Sequence, residues 1–126
     1  MADYIPSFKP GASVTFTASD DVIGGRLVDV TGDRTVAHAA AGSAKVAGVA
    51  GFDTTEGDRL TVFTRAAGVH GLTAGGNITA GAAISAGAEG KAVAATAGDA
   101  ETPGTPIIGI ALAAAATDDV VDVLFI

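Results

Sequence analysis

Short runs of β-forming residues alternate with glycine- and aspartate-containing turns along most of this chain. In the run 14–18, Val14, Phe16 and Ala18 fall on one side and two threonines on the other, which is the two-residue period of a half-buried strand. With this one, about nine such runs occur at regular spacing, which predicts an all-β, compact β-barrel or β-sandwich-like fold. The runs are 14–18, 26–30, 34–38, 45–52, 59–64, 68–72, 91–95, 107–112 and 120–126.

The first residues depart from this pattern and divide the chain in two. Residues 1–12 contain Pro6, Pro10 and Gly11 and predict an extended N-terminal arm. Residues 13–126 predict a single all-β domain.

Two other kinds of segment interrupt the strand pattern. Two prolines and two glycines in Gly98–Pro106 predict a surface loop. The alanine-rich stretches Ala37–Ala44 and Leu112–Ala116 allow one helical turn each, because neither carries large apolar residues at helical spacing. We therefore expect little helix.

Two internal echoes suggest how the strands are connected. In the first, Gly48 and Phe63 bracket a strand, an acidic turn and a second strand, and Gly109 and Phe125 bracket a similar segment. We interpret these segments as two similar hairpins that pack as a pair, the alternative being coincidence in a low-complexity chain.

In the second echo, hexads begin at Gly75, Gly81 and Gly87, a period found in parallel β-helices. Since three hexads are too few for a solenoid, two tight turns around a short strand pair are the preferred interpretation.

Charge and composition exclude several classes of function. Net charge is −7 and the seven basic residues are scattered singly, so we expect no direct nucleic-acid partner. The longest apolar run, Ile107–Ala116, has ten residues, about half of what a membrane-spanning helix needs, and no leader peptide is evident. Cytoplasmic synthesis and no membrane partner are therefore expected. Without cysteine, disulfides and thiolate metal sites are excluded.

The chain lacks the motifs that carry chemistry. Gly90-Lys91 is followed by Ala92, where a phosphate-binding loop needs Ser or Thr. Ser43 has no nucleophile-elbow glycines, and the two histidines, His38 and His70, lie in strand-like runs. The segment Asp53–Asp58 has alternating acidic oxygens near a glycine, but its spacing departs from a calcium loop and favours a solvated turn. We therefore predict no catalytic, cofactor-binding or metal-ligating residues, and a protein that is not an enzyme.

Small side chains limit the stability that the hydrophobic core of this chain can provide. Alanine and glycine make up 46 of 126 residues, and there is no Trp. Small domains with a thin core commonly add a disulfide, a metal or an oligomer interface. Because the first two are not expected, association with copies of itself or with a larger surface remains.

A series of short motifs gives the chain a family resemblance over residues 12–126. They are Val14-Thr-Phe-Thr17, Gly24-Gly-Arg-Leu-Val28, Val46-Ala-Gly-Val-Ala-Gly-Phe52, Gly57-Asp-Arg-Leu-Thr-Val62, Ile78-Thr-Ala-Gly81, Gly87-Ala-Glu-Gly-Lys-Ala92, Ile108-Gly-Ile-Ala-Leu-Ala113 and Asp119-Val-Val-Asp-Val-Leu124. In this order they resemble the capsid decoration (head cement) proteins of tailed bacteriophages. The order of the motifs is more specific than any one of them.

The resemblance implies a structural protein of the virion with a tulip-like β-barrel and no cofactor. It implies homotrimers on the outside of the head near three-fold positions, bound to the major capsid protein and stabilising the head against DNA pressure. We expect the arm residues Tyr4, Ile5 and Phe8 to contact the capsid or a neighbour, because large apolar residues in an unpatterned arm need a partner. The alternative is that they fold back onto the barrel.

A function of another class fits part of the same composition. The hexads and the content of Thr, Gly and Ala also suggest a secreted or surface-exposed β-rich binding module, of a solenoid or adhesin-like kind. The missing signal peptide and the shortness of the hexad region oppose this alternative.

Overall fold

A computed structural model describes Ser7, residues 13–65 and residues 68–126. These residues form ten β-strands in two sheets, with a 3₁₀ turn at Ala88–Gly90. The strands are β1 (Ser13–Ala18), β2 (Leu27–Gly32), β3 (Thr35–His38), β4 (Val46–Ala50), β5 (Arg59–Thr64), β6 (Val69–Thr73), β7 (Ala83–Ala86), β8 (Ala92–Ala94), β9 (Gly109–Ala111) and β10 (Val120–Phe125). The all-β fold predicted from the strand pattern is confirmed.

The first five strands close into a barrel. Their order is β1-β3-β2-β4-β5, and β1 closes the barrel by pairing antiparallel with β5 and parallel with β3. Because side chains alternate across a strand, every second residue points inwards. A barrel of five strands encloses little space, so valine, leucine and alanine fill most of it, and Phe16 packs against them.

The next five strands repeat this topology. Their order, β6-β10-β9-β7-β8, is that of the barrel when β6 to β10 are matched in sequence to β1 to β5. The parallel pairing that closes the barrel between β1 and β3 has a counterpart in a single parallel bridge between Ala74 and Ala92. We refer to residues 13–65 as the first unit and residues 68–126 as the second unit.

Backbone hydrogen bonds in the loops confirm that the two units are copies of one design. In each unit, the same three backbone hydrogen bonds connect turn residues with strand ends. In the first unit Ala18 donates to Asp58 (2.8 Å), Gly25 to Ala50 (2.8 Å) and Gly57 to Ala18 (2.9 Å); in the second unit Ala74 donates to Asp119, Gly81 to Ala111 and Asp118 to Ala74, each at 2.8 Å. The chain is therefore an internal duplication.

The cores of the two units correspond position by position. The apolar residues of the first are Phe16, Ala18, Val22, Val28, Val36, Ala47, Ala50, Leu60 and Val62. Their counterparts in the second are Leu72, Ala74, Ile78, Ile84, Ala92, Ile108, Ala111, Val121 and Val123, and all of these belong to the other hydrophobic cluster. Each unit therefore keeps a small core of its own.

The main difference between the units is an insertion in the second one. Val36 matches Ala92, 56 residues later, whereas Gly48 matches Gly109, 61 residues later, so five residues are added between these positions. The added residues fall in the segment 98–106, which carries no strand, as the sequence predicts. The Asp99 carboxylate accepts hydrogen bonds from the backbone N–H groups of Glu101 and Thr102, and these bonds lower the pKa of Asp99.

The units are joined by a contact between the β7–β8 hairpin and the outer side of β2. The Gly42 N–H donates to the Ala86 carbonyl (2.9 Å), and the Gly90 N–H donates to the Ala39 carbonyl (3.0 Å). Arg26 Nη1 donates to the carbonyl of Glu89 at 3.0 Å. Around these bonds, the apolar residues Leu27, Ala39, Val46 and Val49 of the first unit join the hydrophobic cluster of the second.

Both internal echoes of the sequence correspond to hairpins. Val49 pairs with Phe63 between β4 and β5, and Ile110 pairs with Leu124 between β9 and β10, so the two hairpins share one register. They belong to different sheets, and side chains of both contribute to the cluster that joins the units. The hexads form the β7–β8 hairpin and its turns, which confirms the preferred interpretation.

Two details of the sequence analysis are wrong. Strand β7 is missing from the nine strand-like runs, although the hexads predicted a short strand pair there, because Ala83–Ala86 has Ile84 as its only large side chain. The helical turns expected in Ala37–Ala44 and Leu112–Ala116 are absent from these described segments, which contain turns, bends and an isolated bridge. The reason is that alanine favours a helix only where no stronger constraint acts, and here both stretches connect strands that pair with others.

Candidate binding surface

A row of exposed apolar side chains crosses the outer side of the second unit. Val69, Leu124 and Ile110 stand opposite one another on β6, β10 and β9, and Ile110 is paired in turn with Ala83 on β7. Val69 is 51% exposed, Leu124 41% and Ile110 39%. Neighbouring strands lie about 5 Å apart, so these side chains form one continuous strip. We call Val69, Ala83, Ile110 and Leu124 the apolar row.

The surroundings of the apolar row enlarge it. Ile107, which is 47% exposed, precedes β9, and Leu112, which is 50% exposed, follows it. On β10, Val120 and Asp122 point to the same side as Leu124, because the three alternate along the strand. A contiguous apolar area of this kind on a water-soluble surface marks a site of interaction.

The sequence analysis missed this surface. The sequence analysis places isoleucine, leucine and valine at these positions in strand-like runs and assigns them to neither side of the sheet. The signal was present in the register of one hairpin: if Val121, Val123 and Phe125 face inwards, then Leu124 and its partner Ile110 must face outwards.

The polar residues that could have carried chemistry have structural roles. The buried Asp29 carboxylate accepts hydrogen bonds from the Ser43 hydroxyl at 2.7 Å and the Ala40 N–H at 3.0 Å. Its counterpart Ser85 is also buried and donates to the Pro106 carbonyl at 2.6 Å. Both side chains hold the connection that follows the hairpin of their unit.

The two histidines have lowered pKa values. His38 Nε2 accepts a hydrogen bond from the Ile23 N–H at 2.9 Å, which requires an unprotonated nitrogen. Burial, and then the nearby Arg26, lower the pKa of His38, although Glu89 and Asp20 oppose this shift. His70 packs between the rings of Phe63 and Phe125, with centroids 6.0 and 5.1 Å away, and burial lowers its pKa.

These two histidines make stability depend on pH. Because folding lowers both pKa values below the usual 6.5, the unfolded chain binds protons more readily than the folded one. The free energy of unfolding is therefore expected to fall as pH decreases through about 6.5 towards 5. Urea midpoints between pH 7.5 and 5.5 measure this dependence. In the double variant His38→Gln and His70→Phe the slope should be clearly smaller, and an unchanged slope would assign it to other groups.

The acidic turn singled out in the sequence is a structural turn. The Asp53 carboxylate accepts the Gly24 N–H at 2.8 Å, and Glu56 and Gly57 form the tight turn that follows. Within residues 13–65 and 68–126, no group of three or more His, Asp or Glu residues is placed to hold a metal ion. The calcium-loop alternative thus gains no support.

A shallow pocket lies on the first barrel, away from the apolar row. Thr15, Phe16, Thr17, Arg34 and Arg59 line it, and its volume is about 210 Å³. Sites for small organic ligands usually enclose about 300–1,000 Å³, so this pocket is smaller than such a site.

The arm residues Tyr4, Ile5 and Phe8, predicted to make contacts, lie outside the described residues. In the described part of the chain no helix has the length and apolarity needed to cross a membrane.

Comparison with known proteins agrees with the architecture. A protein family described as phage cement protein matches residues 8–125. The crystal structure of the N base of the head fiber gp8.5 of bacteriophage phi29 superimposes with a TM-score of 0.68 at 26% sequence identity. The superposition covers 91% of this chain and 93% of that one. No curated protein matches the chain significantly.

Proposed function

Since this chain belongs to the phage cement protein family, we propose that it binds the outer surface of a phage capsid and stabilises the head against the pressure of packaged DNA. Membership of the family makes this chain a structural protein that associates with a phage capsid. Binding to the outer surface, the identity of the partner and the stabilisation against DNA pressure are our proposals. The partner is the major capsid protein, the form that binds is a homotrimer at three-fold positions, and the protein is not an enzyme. It is made in the host cytoplasm and ends on the exterior of the virion.

The family match over nearly the whole chain is the observation that carries this function. Three features of the structure support it. The side chains of Asp29, Ser43 and His38 are used in structural hydrogen bonds, the chain is acidic with basic residues scattered singly along the sequence, and apolar side chains are exposed on a folded surface. The hexads that favoured an adhesin-like module form an ordinary hairpin, which removes the main support for that alternative.

The mechanism of stabilisation is mechanical. A trimer bound across a seam between capsid subunits adds interface that must be broken before the seam can open. Because each trimer presents three binding surfaces at once, weak individual contacts give a much stronger attachment. Binding to many equivalent seams then raises the internal pressure that the head withstands.

Cosedimentation with purified heads tests the proposal and the role of the arm together. The full chain is expected to sediment with heads up to a saturating number of copies and to delay their rupture on heating. A variant lacking residues 1–9 is expected to bind at least about tenfold more weakly, because Tyr4, Ile5 and Phe8 are lost. The matched variant replaces these three residues by serine and keeps the length.

The outcomes separate the two parts of this proposal. A full chain that ignores heads at all concentrations contradicts capsid binding. Full-strength binding by the shortened and serine variants contradicts the role of the arm and leaves capsid binding in place.

A further inference from the structure

The internal duplication provides two copies of one surface, and only one of them is covered. In the first unit, Leu27 and Val49 lie on the outer side of the barrel and are 0% and 4% exposed. Val46 and Ala39 beside them are 6% and 1% exposed. All four are buried because they join the hydrophobic cluster of the second unit. We call these four residues the covered face.

The matching residues of the second unit are Ala83, Ile110, Ile107 and Ala95, and they form what we call the open face. Ile107 is 47% exposed and Ile110 is 39% exposed, whereas their counterparts Val46 and Val49 are buried. Ile107 and Ile110 are large apolar side chains, although no described part of the chain covers them. The five-residue insertion lies nearby and leaves Ile107 exposed.

The element that covers the first face also has an uncovered copy. The covering element is the β7–β8 hairpin, in which Ala86 is 1% exposed and Gly87 and Gly90 are buried. Its counterpart is the β2–β3 hairpin with the turn 31–34, where Val30, at the position of Ala86, is 40% exposed. The molecule thus has two uncovered surfaces of matching type, the β2–β3 hairpin and the open face.

We infer that the open face binds the β2–β3 hairpin of a second copy of this chain. The joint between the units shows which shape fits such a face, and the free hairpin has the same topology. Because the two surfaces differ, the contact is head-to-tail, and repeating it generates a ring if the rotation closes. This contact would build the homotrimer of the proposed function, and to that extent the inference rests on it. A ring of three chains would place six similar units around one axis.

The contact between copies is expected to be weaker than the joint inside the chain. Gly90 approaches the first unit so closely that a Cβ there would lie 2.4 Å from the Leu27 carbonyl oxygen, and its counterpart is Arg34. Arg26, which donates to Glu89 across the joint, has Ala82 as its counterpart and offers no such bond. The hairpin of a second copy must therefore sit further out.

Charge differs between the two units. The second unit carries one basic and six acidic residues, whereas the first carries five basic and seven acidic residues. Asp122 lies on the outer side of β10, between Val120 and Leu124 of the same surface. The turn of the β2–β3 hairpin carries Arg34 beside Asp33, so the hairpin adds no net negative charge to this acidic surface.

Cysteine cross-linking tests the contact, because the chain has no cysteine of its own. Protein carrying Val30→Cys is mixed with protein carrying Ile107→Cys and oxidised gently. A mixed disulfide dimer is expected to be the main product, at least about tenfold above the product from Ile23→Cys mixed with Ile107→Cys. Ile23 is a matched control, since it is 49% exposed and its N–H bonds to His38, at the end of β3 opposite to the turn 31–34. The double variant Val30→Cys, Ile107→Cys should give a covalent ring whose mass reports the number of copies.

Sedimentation of the aspartate variants gives a second readout. Ile107→Asp should weaken self-association at least about tenfold, because a buried unpaired charge is costly at an interface, and Ile23→Asp should not. Thermal unfolding of both variants checks that they are folded.

Three outcomes overturn the inference. Disulfides between two chains that both carry Val30→Cys, or that both carry Ile107→Cys, would show a two-fold contact, and no product above the Ile23→Cys control would show no contact here. Increased reactivity of Ile107→Cys after deletion of residues 1–9 would show that the chain's own arm covers the face. Failure of the cross-links with intact binding to heads leaves the proposed function standing, whereas cross-links without binding to heads refute capsid binding alone.

Discussion

Replacing Gly48 by alanine is expected to destabilise the first barrel by about 3 kcal/mol, near the upper end of the usual cost of overpacking. A Cβ on Gly48 would lie 2.0 Å from the Phe63 carbonyl oxygen and 2.9 Å from the Thr64 Cα. Both atoms belong to the backbone of β5, so no side chain can rotate away. The strands β4 and β5 must separate at this point, and they form part of the closed barrel.

Duplication gives this experiment a second, independent site. Gly109 is the counterpart of Gly48, and a Cβ there would lie 2.5 Å from the Leu124 carbonyl oxygen. We therefore expect Gly109→Ala to open the second unit at the equivalent position. Gly76→Ala is the control, because a Cβ there meets no atom of the described residues within 4 Å. It should change the free energy of unfolding by no more than about 0.5 kcal/mol.

Urea unfolding followed by circular dichroism measures all three variants. The urea midpoint should fall strongly for Gly48→Ala and Gly109→Ala and stay near that of the parent protein for Gly76→Ala. If Gly48→Ala behaves like Gly76→Ala, the close approach of β4 to β5 is contradicted.

Gly90→Ala is expected to loosen the joint between the two units. The φ angle of Gly90 is +71°, and a Cβ there would lie 2.4 Å from the Leu27 carbonyl oxygen. A left-handed backbone costs an alanine about 1–2 kcal/mol. The collision with β2 adds to this cost and breaks the hydrogen bond from Gly90 to the Ala39 carbonyl. We expect a total of about 3 kcal/mol, from the left-handed backbone and the overpacking together.

The control separates the backbone cost from the collision. Gly57 has a φ angle of +89°, and a Cβ there meets no described atom within 4 Å. Gly57→Ala should therefore cost only the backbone term. In the Gly90 variant the two units should also unfold at different urea concentrations, because the contact that couples them is weakened. Equal losses in the two variants, with one shared transition, would contradict the close contact at the joint.

A duplicated, thinly cored design suits a protein that acts through its surface. Each unit fills its interior with about nine apolar side chains, several of them alanine. The larger isoleucine, leucine and phenylalanine residues are then partly free to face outwards, and Ile107, Ile110 and Phe63 do so. Burying these residues against other molecules would add the stability that a small core cannot supply.

Much of the fold could be predicted from local pattern. The runs that became β1 to β6 and β10 show the alternation or the β-branched content that a paired strand requires, and their predicted bounds agree closely with the structure. β7 could not be found in this way, because Ala83–Ala86 has little side chain to pattern, and its strand conformation comes from pairing with β8 and β9. The surface loop at residues 98–106 was predicted because prolines prevent strand pairing.

The candidate surface depended on the tertiary structure. Val46 and Ile107 stand at matched positions next to matched strands, yet one is 6% and the other 47% exposed. The sequence around each residue predicts a strand and says nothing about what lies across it. Burial at these positions is decided by whether another unit packs against that side of the strand.

By itself the sequence determined that this chain folds into short β-strands, carries no recognisable catalytic or metal-binding motif and resembles phage decoration proteins. These properties are local, since they follow from alternation, turn residues and residue types along the chain. Only the tertiary structure decided that the strands form two copies of one unit and that the covering of one face leaves its copy open. The reason is that alanine and glycine, the residues that allow this close packing, carry almost no pattern, so the partner of each face is fixed by contacts between residues far apart in the chain.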